Sequence, residues 1–240
     1  MDYKSAIISD INHLNEDVFV IKCKGDFLGR PGQFYMLRIN DFNHSDPLLA
    51  RPISISDIQN GEITFLIQIM GRGTKVLSEK KVGDSLMILG PLGSSFNIID
   101  KKCALLAGAA GIAPLLYLAK NMKVKPDLYA GFRTKPYYIE ELKPYCDNIF
   151  IATEDGSYGH KGYALDLLED NNYEKIYACG PMPMLIAAKN KIITTDLEIS
   201  LEAHMGCGIG ACLSCTKPVE GYELFRICKE GPVVNARRLK

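Results

Sequence analysis

Four cysteines near the C-terminus, Cys207, Cys212, Cys215 and Cys228, follow the order C-x4-C-x2-C…C. No other feature constrains the folding of this chain as tightly, because thiolates that converge on one metal centre fix the path of the backbone between them. The order is the plant-type spacing that holds a [2Fe–2S] cluster. Gly206, Gly208, Gly210 and Ala211 carry no bulk, so the backbone there can wrap closely and turn N–H groups toward sulfur. Zinc is the alternative occupant for four thiolates. Zinc ribbons, however, are built from two short knuckles, and the four-residue gap between Cys207 and Cys212 fits them poorly. The return from Cys215 to Cys228 is short, with twelve residues between them.

A length of 240 residues allows one large domain or two with an appendage, and 47% hydrophobic content supplies side chains for genuine cores. Lys plus Arg equals Asp plus Glu at 28 each. No net field therefore draws in nucleic acid or an anionic membrane, and neither is expected as a partner. The start, Met1-Asp2-Tyr3-Lys4, is charged and lacks an apolar stretch, so no secretory signal is expected. Eight cysteines, four of them in metal spacing, fit a reducing cytoplasm better than a disulfide scaffold. The uncharged run from Cys103 to Ala119 has seventeen residues, fewer than the roughly 20 that span a bilayer. Gly108, Gly111 and Pro114 break it into strand, turn and helix start.

The pattern changes twice along the chain and divides it into 1–99, 100–199 and 200–240. In the first part short β-like runs recur at Val18–Ile21, Phe34–Leu37, Ile53–Ser56, Ile63–Ile67 and Ser85–Ile88, separated by turn signals at Gly25, Pro31-Gly32, Asn60-Gly61 and Gly83-Asp84. This predicts an antiparallel β-barrel or sandwich. In the second part the strands Ala104–Leu106, Leu128–Ala130, Ile149–Ile151 and Ile176–Ala178 alternate with helices expected from Ala113, near Tyr163–Glu169 and near Pro183–Ile193. Such alternation predicts a parallel sheet with helices on its faces. The chain thus reads as a multidomain β plus α/β protein with a small C-terminal cluster domain.

Two small-residue turns fall at the ends of parallel strands. Gly108-Ala109-Ala110-Gly111-Ile112-Ala113-Pro114 leads into a helix, where free N–H groups and the positive dipole end suit a pyrophosphate. Pro114 is tolerated in the first helical turn. Tight packing is the alternative reading, since the spacing is not G-x-G-x-x-G. The partner turn is Cys179-Gly180-Pro181-Met182, placed where open α/β sheets bind ligands. A lone Cys179 would more often be a core residue. In the barrel, Arg51-Pro52-Ile53-Ser54 pairs a guanidinium able to clamp phosphate with a nearby hydroxyl, and Gly71-Arg72-Gly73-Thr74 follows the next strand. Taken alone, Arg51 would more often be a solvated or ion-paired surface residue.

The ordered set R-P-x-S, G-x-G-T, G-x-x-G-x-x-P and C-G-P-M resembles the ferredoxin–NADP reductase superfamily of flavoproteins over the whole chain. The segments Ser200–Cys215 and Arg226–Val233 are similar to those of the electron-transfer subunits of class 1B dihydroorotate dehydrogenases. The resemblance implies FAD contacted by Arg51, Pro52, Ile53 and Ser54, with Arg51 toward the pyrophosphate and Ser54 toward the flavin, Leu66, Ile67 and Gln68 lining it, and Gly73 and Thr74 holding the phosphates. Gln68 departs from relatives, which often carry a basic residue there. Gly108, Gly111, Pro114, Cys179 and Gly180 would receive NAD(H), with Cys207, Cys212, Cys215 and Cys228 holding the cluster. Arg133, just past the second α/β strand, is placed to meet a 2′-phosphate if NADPH is the cofactor. The implied activity is an NAD-linked oxidoreductase relay, from NADH to FAD to cluster to a partner. That partner would be an FMN-containing dihydroorotate dehydrogenase catalytic subunit, in a cytoplasmic heterotetramer of two of each for pyrimidine biosynthesis. No catalytic acid–base residue is expected, and His204 is expected to pack or orient the cluster loop. A reductase subunit serving ferredoxin, sulfur or hydrogenase partners, and a zinc-stabilised adaptor without redox activity, are the competing readings.

Overall fold

The computed structural model describes residues 2–39 and 46–240. Its first segment forms β1 (Lys4–His13), β2 (Val18–Lys24), β3 (Phe34–Arg38), β4 (Arg51–Ser54), β5 (Asp57–Gln59), β6 (Glu62–Gln68), a short helix α1 (Arg72–Ser78) and β7 (Ser85–Leu92). Neighbouring strands are antiparallel, in the order β4-β3-β7-β1-β2-β6-β5. Just past β4, the Ile55 N–H donates to Gln33 O and the Ser56 N–H to Thr64 O, each at 3.0 Å. The first bond prolongs the β3–β4 pairing, and the second ties the end of β4 to β6 and closes the sheet into a barrel. The run Val18-Phe19-Val20-Ile21 is apolar throughout because both faces of β2 are covered. Phe19 and Ile21 enter the barrel core with Leu37, Phe65 and Ile67, whereas Val18, Val20 and Leu66 pack with Leu105, Leu116 and Leu118 of the α/β part. Burying each such side chain contributes about 1.5–3 kcal/mol, so burial holds the two parts together along this seam.

The second part runs β8 (Cys103–Gly108), α2 (Ile112–Lys120), β9 (Asp127–Phe132), α3 (Ile139–Leu142), β10 (Ile149–Thr153), β11 (His160–Lys161), β12 (Lys175–Cys179), α4 (Met182–Lys191) and β13 (Asp196–Ser200). The last segment adds a two-stranded ribbon, β14 (Thr216–Lys217) with β15 (Phe225–Arg226), and β16 (Val233–Asn235). The second sheet has the order β11-β10-β9-β8-β12-β13-β16 and is parallel except for β16, which runs antiparallel to β13. From β8 the chain builds outward to β11 on one side, then returns to lay β12 and β13 on the other. The topological switch point therefore lies between β8 and β12. Among the described residues no helix is long and apolar enough to cross a membrane.

Two expectations change. The helix expected near Tyr163–Glu169 is a single 3-10 turn, Ala164–Leu167. The chain leaves it in an extended conformation so that Leu168 is buried and the Asp170 carboxylate can accept the N–H groups of Ile193, Thr194 and Thr195 at 2.8, 2.8 and 3.0 Å. The strand expected at Ile53–Ser56 is β4, shifted to Arg51–Ser54, because the chain turns at Ser56, whose N–H goes to Thr64 of β6 in the barrel closure.

Fixed contacts hold the barrel to the α/β part. Tyr177, fully buried on β12, donates to Asn97 O at 2.8 Å, accepts the Ile99 N–H at 3.3 Å and stands edge-on to Phe96 at 5.5 Å. Those bonds pin the connecting segment. Across the seam, the Tyr117 hydroxyl donates to Gly29 O at 3.1 Å, and Ser56 Oγ lies 2.9 Å from the Tyr138 hydroxyl. Lys120 Nζ meets the buried Asp57 carboxylate at 2.5 Å.

Candidate functional site

Cysteine positions come first. In the loop after β13, Gly208 and Gly210 adopt φ of 74° and 83°, the left-handed region that glycine enters without strain. That path turns the N–H groups of Ile209, Ala211 and Cys212 onto Cys207 Sγ at 3.4, 3.3 and 3.4 Å. Cys215 Sγ accepts the Cys228 N–H at 3.5 Å. The quartet thus forms two pairs, Cys207 with Cys212 and Cys215 with Cys228, lined by amide donors. Among the described residues no three His, Cys, Asp or Glu side chains gather as a site for a single metal ion, but two thiol pairs fit a two-iron cluster, in which each iron takes two thiolates and backbone N–H groups bond the sulfurs. Cys212 is exposed, and its thiol is held at about 6, first by its hydrogen bond with Ser214. Burial, with Cys215 adjacent, pushes the Cys228 thiol up to about 12. Arg226 spans the two halves: Nη1 donates to Gly210 O at 3.1 Å and Nε to both Glu230 oxygens at 3.1 Å. His204 is exposed.

The cluster loop sits on the barrel. A Cβ built on Gly208 would lie 2.5 Å from Met36 Cγ and 3.2 Å from Leu92 Cδ1, so this loop packs directly on β3 and β7. Farther along, the Ser94 N–H donates to Gly231 O at 2.6 Å, and Ser94 Oγ accepts the Val233 N–H at 3.1 Å. Met36 is the register partner of Pro52, and Leu37 that of Arg51. One strand pair therefore separates the cysteine loop from the Arg51–Ser54 edge.

All four residues of β4 are half-exposed, although its neighbours are largely buried. The Arg51 side chain lies across Gly73, where a Cβ would come within 2.0 Å of Arg51 Nε. Only glycine at 73 leaves room for the guanidinium there. Partial burial lowers the Arg51 pKa below its ordinary value, and Nη1 donates to Leu49 O. Thr74 Oγ1 accepts the Met70 N–H at 2.9 Å and donates to Gly71 O at 3.1 Å, so its hydroxyl shapes the turn into α1. Ile67 points into the barrel core and Leu66 into the seam, whereas Gln68 is half-exposed. These two apolar residues can offer a ligand at this edge mainly backbone groups. A cradle that admits a guanidinium over bare backbone fits a dinucleotide pyrophosphate.

At the switch point the two glycine turns interlock. A Cβ on Gly111 would stand 2.1 Å from Cys179 O, and one on Gly180 would stand 2.9 Å from Gly108 Cα. Pro114 is buried in the first turn of α2. The Cys179 thiol is buried, and burial raises its pKa, so the residue offers backbone rather than sulfur chemistry. Arg133 immediately follows β9. Gly111→Ala is expected to drive the two turns apart at a cost of about 1–3 kcal/mol, the usual range for overpacking. A lowered Tm with weakened NADH binding is the expected result; both unchanged would refute the interlock.

Residues 202–240 match the family model for the iron–sulfur cluster binding domain of dihydroorotate dehydrogenase B. A dihydroorotate dehydrogenase B (NAD(+)) electron transfer subunit from Clostridium acetobutylicum is 42% identical over 225 residues, covering 92% of this chain and 90% of the relative. This chain belongs to that family. The Clostridium perfringens subunit is 34% identical over 98% of this chain and 97% of its own length. Among solved structures, an NADH-dependent reduced ferredoxin-NADP oxidoreductase studied for flavin-based electron bifurcation superposes with a TM-score of 0.88 at 26% identity, over 98% of this chain and 89% of that one. The cytochrome b5 reductase domain of Ulva prolifera nitrate reductase shares the fold, with a TM-score of 0.64 at 16% identity over 79% of this chain and 91% of its own.

Two features of the site carried no sequence signal. The Arg226–Glu230 clamp looks in the sequence like any surface pair, and the seat of Gly208 on Met36 joins residues 172 positions apart.

Proposed function

We infer that this chain is the electron-transfer subunit of a dihydroorotate dehydrogenase complex, linking NAD(H) to a separate catalytic subunit in pyrimidine synthesis. The seat of the cysteine loop on β3, the strand that pairs with the Arg51 edge, is the observation that carries this reading. The reading is supported because the cysteine loop and the Arg51 edge lie one strand apart. A bound FAD takes up a hydride's two electrons and releases them singly, matching a nicotinamide to a one-electron cluster. Arg51, lying over Gly73, would hold the pyrophosphate. Pro52, Ile53 and Ser54 would border the flavin, with Leu66, Ile67 and Gln68 beside them and Gly73 and Thr74 at the phosphates. The crease of Gly108, Gly111, Pro114, Cys179 and Gly180 would receive NAD(H), with the α2 N-terminus favouring its phosphates. Cys207, Cys212, Cys215 and Cys228 would hold the [2Fe–2S] cluster.

The working division is residues 1–99 for FAD, 100–199 for NAD and 200–240 for the cluster, with β16 completing the nucleotide-binding sheet. The partner in this reading contains FMN, oxidises dihydroorotate and assembles as two of each subunit in the cytoplasm. Co-expression of the two subunits tests it. The expected product is a coloured complex with FAD and about two iron atoms per electron-transfer chain, oxidising dihydroorotate with NAD+ as acceptor. Exchange with ferredoxin alone, without dihydroorotate-linked NAD+ reduction, would support the ferredoxin-serving alternative instead.

A further inference from the structure

Ser214 lies between two turns of the cysteine loop. Its Oγ accepts the Gly206 N–H at 3.0 Å and lies 3.2 Å from Cys212 Sγ. A ligating cysteine is a thiolate and carries no proton. Across that contact only the hydroxyl can donate, and with one lone pair engaged by Gly206 its proton is free to point at sulfur. The backbone is shaped to make this contact. Leu213 adopts φ of 63°, a left-handed conformation that strains a leucine. Thr216 supports that turn, its hydroxyl donating to Leu213 O at 2.6 Å and its N–H at 3.3 Å. Across the loop, a Cβ on Gly206 would lie 3.2 Å from Cys212 Sγ and 3.5 Å from Ser214 Oγ, so a bare glycine faces the pair.

The four sulfurs are not equivalent. Cys207 receives three backbone N–H groups, and Cys215 receives that of Cys228. Cys212 is the exposed member, and Ser214 is the hydroxyl placed against it. Reduction adds one negative charge to the cluster, and the ligating sulfurs share it. A donor aimed at a thiolate therefore stabilises the reduced form more than the oxidised one.

We propose that Ser214 is a positioning residue that donates a hydrogen bond to the Cys212 thiolate and thereby raises the reduction potential of the cluster. The proposal rests on the four cysteines being cluster ligands. Its test is a potentiometric titration of the assembled complex, followed by electron paramagnetic resonance of the reduced cluster, for wild type and for Ser214→Ala, Ser214→Cys and Ser214→Thr, with iron content measured for each. Ser214→Ala should keep its iron and shift the one-electron equilibrium toward the oxidised cluster by about three- to tenfold, a fall of up to about 59 mV. Ser214→Cys, a weaker donor, should fall between, and Ser214→Thr should match wild type. Iron-loaded Ser214→Ala at the wild-type potential would overturn the role. Should the alanine variant fail to hold iron, Ser214→Cys at the wild-type potential, or Ser214→Thr displaced from it, would do the same. Wild-type protein without iron would instead defeat the cluster reading itself.

Discussion

Replacing Cys212 with serine is expected to remove or destabilise the cluster while FAD stays bound. The two sites use different parts of the chain: Cys212 belongs to the loop after β13, whereas the Arg51–Gly73 cradle belongs to the barrel. A serine alkoxide is a harder, more basic ligand than thiolate. The substitution also discards a thiol whose pKa is lowered by hydrogen bonds with Ser214 and Cys207. Cys207, with its three amide donors, keeps its place. Iron analysis and visible spectra measure the outcome, and full iron retention with an unchanged spectrum would contradict the ligand assignment.

Arg51→Ala is expected to lower FAD affinity about ten- to a hundredfold, because a hydrogen bond to a charged group contributes about 1.5–3 kcal/mol. Gly73→Ala is the companion variant. It retains the guanidinium but places a Cβ within 2.0 Å of Arg51 Nε, so it should displace the clamp and weaken FAD in the same direction. Flavin release followed by fluorescence reads both variants. Affinity unchanged in both would remove Arg51 from the binding site.

The sequence was legible where burial on both faces or a rigid turn left a local mark. The largely apolar runs at β2, β6, β8 and β12 mark strands covered on both faces, and the alternation of β8, β9, β10 and β12 with helical patterns disclosed the parallel sheet. The four cysteines and the two glycine turns were readable for the same reason, since close approach demands particular residue types. Elements supported from one side only were not legible. β1 fully buries only Ala6 and Ile8, and its apolar stretch Ala6-Ile7-Ile8 gives way at once to Ser9 and Asp10. α1 carries Gly73 in its first turn and passes for part of a loop; the glycine serves Arg51 rather than the helix. β16 lies beyond the cysteines and joins β13 through three residue pairs, a partnership that only the tertiary fold creates. Ser214 was invisible for a related reason. Its meaning depends on the left-handed turn at Leu213, and nothing in the letters around it requires that turn.

The order of carriers is the central claim, and stopped-flow kinetics on the reconstituted complex test it most directly. Flavin reduction by NADH and NADH-dependent reduction of the FMN proposed for the partner are followed separately in wild type and Cys212→Ser. In the variant the flavin should still be reduced by NADH, because the crease at Gly111 and the edge at Arg51 are intact, while FMN reduction should be lost. Normal FMN reduction in protein shown to lack the cluster, or loss of the NADH-to-flavin step alone, would contradict a relay that enters at the barrel edge and leaves through the cysteine loop.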